Sequence, residues 1–196
     1  MFLHKSYQLE SLKFINYIEL DYNELETILT WRNHPDVRKW MYNSEEISLS
    51  DHIKFCTELK QSSNKGYWLV QMGDELIGTI NINPYDSQNH EGEWGFYLNP
   101  QYFKSDAVLM LFYYSIELFL KEFKLNQLKG YVLRTNTSSL ILNDFFGMLE
   151  YVEDIPQKGE YTSRKLTQLE WKLLDLHPDN LKTQFIKFVK NNRLKQ

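Results

Sequence analysis

Apolar positions recur along this chain with two periods, one close to 2 and one close to 3.6, and the switches between them mark its elements. Tyr17–Tyr22 alternates and reads as a strand. Asn23 is placed to cap a helix whose apolar stripe is Leu25, Ile28 and Leu29, with Arg32 on the next turn. The run Asn33-His34-Pro35-Asp36 stops that helix, because the residue before a proline is pushed out of the helical region. Ser50 suits the start of a second helix to about Ser62, with Ile53, Cys56 and Leu59 on one side. Two strands, Tyr67–Gln71 and Leu76–Asn83, flank the turn Met72-Gly73-Asp74-Glu75. Glu93–Leu98 is a third strand, preceded by the polar loop Asp86–Gly92 and ended by Asn99-Pro100. Asp106 suits the cap of a long apolar helix through about Phe123. Strand Gln127–Leu133, short helix Ser138–Phe146 and strands Glu150–Asp154 and Tyr161–Leu173 complete the series.

Composition narrows the class. The chain has 196 residues, 42% hydrophobic and 15% aromatic, which suits one domain with a real core. Its 22 basic and 26 acidic residues give −4, so no global charge draws it to nucleic acid. A lone cysteine, Cys56, excludes an internal disulfide and a Cys-rich metal site. The richest apolar run, Val108–Leu120, contains Glu117 and falls short of the roughly 20 residues a membrane helix needs. Met1–Ser11 lacks the long apolar core of a signal peptide. The expectation is a cytoplasmic protein without metal, nucleic acid or integral membrane contact. Residues 177–196 differ from the rest: Leu181, Phe185 and Phe188 or Val189 fall at helical spacing, and five basic residues against Asp179 give +4. Residues 1–176 are therefore read as the domain and 177–196 as a basic amphipathic C-terminal helix.

The order β-α-α-β-β-β-α-β-α-β-β is that of the GNAT superfamily. Two segments carry the resemblance further. Trp31-Arg32-Asn33-His34-Pro35-Asp36, then Trp40-Met41-Tyr42, Ile47-Ser48-Leu49, His52, Phe55 and Leu59-Lys60, resembles the amino-terminal signature of the acetyltransferases of the pseudaminic acid pathway. Asn136-Thr137-Ser138-Ser139-Leu140, continuing to Phe146-Gly147-Met148, is similar to the stretch that faces coenzyme A in many GNAT enzymes. Glu93–Pro100 resembles the strand before their phosphate loop. The resemblance spans about Tyr22 to Asp154. It implies an α/β (α+β) GNAT fold: a mixed central sheet of about seven strands flanked by about four helices. It implies acetyl-CoA as cosubstrate and a small-molecule nucleotide sugar as acceptor, in surface-glycan or flagellin-glycan biosynthesis. A homodimer is left open.

Acyl transfer to an amine requires loss of the amine's proton, stabilisation of the carbonyl oxygen and departure of the thiolate. Glu93 is the first candidate base, sharing a strand face with Gly95 and Tyr97; a carboxylate at an aromatic-lined cleft is expected to have a raised pKa. His34 is the second, since imidazole titrates near neutrality and also bonds phosphate or sugar oxygens. By the resemblance, Phe96, Tyr97, Leu98, Gln101, Lys104, Ser105, Asn136, Ser139 and Asn143 face the cofactor. Arg32, His34, Trp40, Met41, Tyr42, His52 and Phe55 face the acceptor, with Arg32 suited to a bidentate grip on a diphosphate.

Two departures bear on activity. The superfamily phosphate loop places glycines where this chain has Lys104 and Asp106, and Asp106 as a cap would consume amide donors beside the phosphates. Asn143 stands where the pseudaminic-type enzymes carry a tyrosine as acid, leaving Tyr97, Tyr113 or Tyr151 as substitutes. A noncatalytic nucleotide-sugar or partner-binding domain, or a GNAT acting on another amine, are the alternatives.

Overall fold

The computed structural model describes residues 2–133, 135–146, 151–152 and 166–172, the last two segments as backbone strands. Among the described residues, eight strands form one sheet in the order β1-β2-β3-β4-β5-β6-β8-β7. They are β1 (Tyr7–Leu9), β2 (Leu12–Asn16), β3 (Gly66–Met72), β4 (Glu75–Asp86), β5 (Glu91–Leu98), β6 (Gln127–Leu133), β7 (Tyr151–Val152) and β8 (Leu166–Lys172). Five α-helices accompany them: α1 (Tyr22–Asn33), α2 (Pro35–Arg38), α3 (Leu49–Leu59), α4 (Ala107–Leu118) and α5 (Thr137–Phe145). All neighbouring strands are antiparallel except β5 and β6, which run parallel. A parallel pair needs a long crossover, and α4 supplies it.

Strand alternation assigns the two faces. On one, Trp68, Val70, Ile80, Ile82, Trp94 and Leu98 bury against Leu111, Phe112, Ile116 and Phe119 of α4 and its extension. On the other, Leu69 packs with Ile28 and Trp31 of α1 and with Cys56 and Leu59 of α3. That second face also carries Thr79 and Tyr97, so it is polar where the first is apolar.

Local chemistry explains where elements begin. The helix expected to start at Asn23 is capped by Asp21, whose carboxylate accepts from Glu24 N at 2.9 Å while Glu24 reaches back to Asp21 N. Ser48, not Ser50, caps α3 by accepting from Asp51 N. The strand read at Tyr17–Tyr22 lies earlier, at Leu12–Asn16, because buried Asn16 accepts from Ile18 N and turns the chain into a short 3₁₀ helix, Tyr17–Glu19. The hairpin β1–β2 and this shift account for eight strands where about seven were expected. The basic segment 177–196 lies outside the described residues, as does most of Glu150–Asp154.

Candidate active site

The parallel ladder between β5 and β6 pairs only Glu91–Glu93 with Gln127–Lys129. Beyond it the strands part, and a cavity of about 430 Å³ opens between Trp94–Tyr97 on one wall and Gly130–Leu133 on the other. Its floor is the polar face of the sheet, including Tyr67, Thr79, Asn81 and Asn83. Its roof comes from α1, α3 and the loop between α2 and α3, through Arg32, Trp40, Met41, Tyr42, Ile47, Asp51, His52 and Phe55. At the far end Asn136, Ser139 and Asn143 of α5 and its cap complete the lining.

Glu93 sits where the strands separate. Its Oε1 accepts a hydrogen bond from the Tyr42 hydroxyl at 2.9 Å. Burial and the Glu93 charge hold the Tyr42 phenol far above its ordinary pKa, so it stays a donor. Gly95 faces Asn81 across the ladder, and a Cβ there would approach the Asn81 carboxamide oxygen to 3.1 Å. Glycine thus keeps the floor open beside Glu93. Below, the Tyr97 hydroxyl hydrogen-bonds Thr79 and Tyr17, and burial raises its pKa despite those bonds and the nearby Arg32. Asn83 donates to the Tyr67 hydroxyl at 3.0 Å, and burial pushes that phenol up to about 12.

The roof loop is tied to α1. Arg32 Nη2 donates to the Asn43 carbonyl at 2.6 Å, and Asn33 both donates to the Ile47 carbonyl and accepts from Ile47 N. His52 is buried beside Cys56, its ring 3.8 Å from Sγ. Burial lowers its pKa below 6.5; a hydrogen bond to the Leu25 backbone opposes this and the Arg32 charge adds to it. Burial likewise raises the Cys56 thiol to about 11.

The cavity brings together Glu93, Phe96, Tyr97, Asn136, Ser139, Asn143, Arg32, Trp40, Met41, Tyr42, His52 and Phe55, all singled out from the sequence. His34 is not in its lining. The His34 Nδ1 accepts from Asp36 N as the cap of α2, and its ring meets Phe103 edge-on at 6.1 Å. Leu98 turns its side chain into the α4-side core, while Gln101, Lys104 and Ser105 are exposed in the turn before α4. The expectation that Asp106 consumes amide donors is not met. Asp106 makes no side-chain cap bond, and the Ala107 amide is instead taken by Ser105 Oγ at 3.2 Å. The Asn143 amide donates back to the Ser139 carbonyl at 2.7 Å. Sequence reading passed over Tyr17, Tyr67, Thr79, Asn81, Asn83 and Tyr131. The alternation Thr79-Ile80-Asn81-Ile82-Asn83 carried a signal, since a strand with one apolar and one polar face presents the polar one to something wet.

An acetyl thioester fits such a site on three observations of this chain: the parted strands, the carboxylate at their fork and the α5 cap facing the gap. The comparisons agree. Residues 15–144 match the acetyltransferase (GNAT) domain model. The chain is 32% identical over 145 residues to acetyltransferase PseH of Campylobacter jejuni, covering 73% of this chain and 88% of that protein. The crystal structure of Campylobacter jejuni N-acetyltransferase PseH superposes with a TM-score of 0.63 at 24% identity, over 83% of this chain and 98% of the other. Spermidine N-acetyltransferase from Vibrio cholerae gives 0.71 at 14% identity, over 84% and 96%; these two likenesses concern the fold. The chain belongs to the GNAT acetyltransferase family and is, by that membership, an acetyl-CoA-dependent N-acetyltransferase.

Proposed function

We propose that the enzyme moves the acetyl group of acetyl-CoA to the amine of an amino-dideoxy-sugar nucleotide, in the biosynthesis of a surface or flagellin glycan. The observation that carries this reading is the roof of the cavity. The Trp31–Tyr42 segment, which resembles the pseudaminic-pathway signature, contributes Arg32, Trp40, Met41 and Tyr42 to the same cavity that receives Glu93. Arg32 offers the cationic group suited to a phosphate, and Trp40 is the flat aromatic suited to a base.

Acetyl-CoA supplies an activated carbonyl and a thiolate leaving group. Glu93 takes the proton of the acceptor's ammonium, directly or through water, since only the free amine attacks. Backbone groups of β5 between Phe96 and Leu98, beyond the reach of β6, hold the pantetheine arm as an added strand would. Asn136 and Ser139 face it from the other side, while Gln101, Lys104 and Ser105 lie before α4 for the pyrophosphate. Asn143, whose carboxamide is anchored on Ser139, orients the leaving sulfur by hydrogen bonding and gives it no proton.

The test is transfer from acetyl-CoA to three amines: a UDP-linked amino-dideoxy sugar, spermidine and a peptide amino terminus. Turnover of the sugar nucleotide well above the other two is expected. Preference for either of the others would reassign the acceptor, and no thermal stabilisation by acetyl-CoA would favour a noncatalytic domain.

A further inference from the structure

Loop 39–48, between α2 and α3, reaches across the fork of the sheet. Tyr42 at its middle touches both diverging strands: its hydroxyl bonds Glu93 of β5, and its ring meets Tyr131 of β6 edge-on at 6.4 Å. The next residue, Asn43, is the one whose carbonyl Arg32 holds, and Ile47 is locked by a reciprocal pair of bonds to Asn33. The loop therefore has one seat on α1, and seating it fixes where the Tyr42 hydroxyl lies. A glutamate side chain has three rotatable bonds before its carboxylate oxygens, and a donor on one oxygen removes most of that freedom.

We infer that Tyr42 is a positioning residue for Glu93, aiming its carboxylate at the acceptor amine only when the roof loop is seated. Base and acceptor pocket are then assembled in one event. Proton removal is coupled to the segment that encloses the acceptor, and an amine reaching Glu93 past an unseated loop meets a poorly aimed base. This rests on the assignment of Glu93 as base in the proposed function.

Several of the described charged and titratable groups lie around Glu93. Tyr42 faces it from the loop and Tyr67 from β3. From β6 comes Lys129, its register partner, whose ammonium is bound to Glu91 at 3.0 Å. Arg32 and His52 share the cavity. The Tyr42 hydroxyl donates to the carboxylate, so removing its oxygen alters that group's hydrogen bonding without removing a charge.

Tyr42→Phe keeps the ring on Tyr131 and deletes only the hydroxyl. Its kcat should fall about 10- to 100-fold, with the acetyl-CoA KM and the melting temperature unchanged. In the double variant with Glu93→Gln, the Tyr42→Phe loss should largely vanish, as expected for residues acting as a unit. A higher acceptor KM with kcat unmoved would overturn the proposal and make Tyr42 a plain acceptor contact. Additive losses in the double variant would overturn it too. If Glu93→Gln alone turns over normally, the base assignment fails first, and the proposal falls with it.

Discussion

At the residue scale, the two candidate bases separate by position. Glu93 stands at the fork of the sheet, whereas His34 spends its Nδ1 on a helix cap. Glu93→Gln keeps the shape and should lower kcat by about two to four orders of magnitude with little change in either KM. His34→Ala should instead cost about 0.5–1 kcal/mol of stability at near-normal kcat, with His34→Asn restoring the cap. Denaturant melts beside steady-state rates separate these outcomes, and loss of the acidic kcat limb in His34→Asn would hand the base role to His34. His52 makes a third prediction. Its folded pKa lies below 6.5, so above pH 6.5 it is neutral in both states and its contribution is fully present. As pH falls below 6.5 the unfolded chain takes up a proton that the folded one refuses, and stability drops toward the depressed folded value. Replacement by Gln should flatten the melting-temperature profile between pH 7 and 5, and an unchanged slope would refute a buried neutral imidazole.

At the element scale, the proposed function assigns the roof loop and the turn before α4 to different substrates. Arg32→Ala removes the hold on Asn43, and with it both the loop's seat and the cation for a phosphate. The acceptor KM should rise about 10- to 100-fold, as for the loss of hydrogen bonds to a charged group, with acetyl-CoA affinity nearly unchanged. Equal losses for both ligands in titration calorimetry would signal a folding defect. Asp106 gives the converse case. It makes no side-chain cap bond, so Asp106→Gly sacrifices none and removes a negative charge from the helix start where the proposed function puts the phosphates. Acetyl-CoA should bind about two- to fivefold more tightly, an effect that salt should shrink. The capping errors belong to this scale as well. Asn23 and Ser50 are good cap residues by type, yet Asp21 and Ser48 two positions earlier won, because Asp21 closes a capping box with Glu24 and the Ser48 hydroxyl accepts from Asp51 N.

At the scale of the whole molecule, a group of aromatic side chains becomes one connected cluster behind the site. Phe112 of α4 stacks on Phe146 at 4.8 Å and meets Trp94 and Phe96 edge-on. That cluster ties the α5 segment carrying Asn136, Ser139 and Asn143 to the strand carrying Glu93. Phe112→Ala should cost about 3–5 kcal/mol, roughly 10 °C in a domain of this size, and weaken acetyl-CoA binding beyond the loss of stability. A calorimetric scan with and without the cosubstrate tests both parts.

The sequence by itself determined most of the element order after β2 and the strand faces, because period 2 and period 3.6 are written residue by residue in its apolar positions, while the segments that meet at the site were implied by the family resemblance. Glu93, Gly95 and Tyr97 were placed on one face from alternation alone, and the helix stop at Pro35 from backbone sterics. Only the tertiary structure decided which of those residues share a cavity. The separation of β5 from β6 after Glu93, the contact of Tyr42 with Glu93 across 51 positions, and the diversion of His34 to a cap all depend on elements far apart in the chain. Local propensity holds no record of such distances. They are fixed by how an α4 crossover and a clamped loop pack on opposite faces of one twisted sheet.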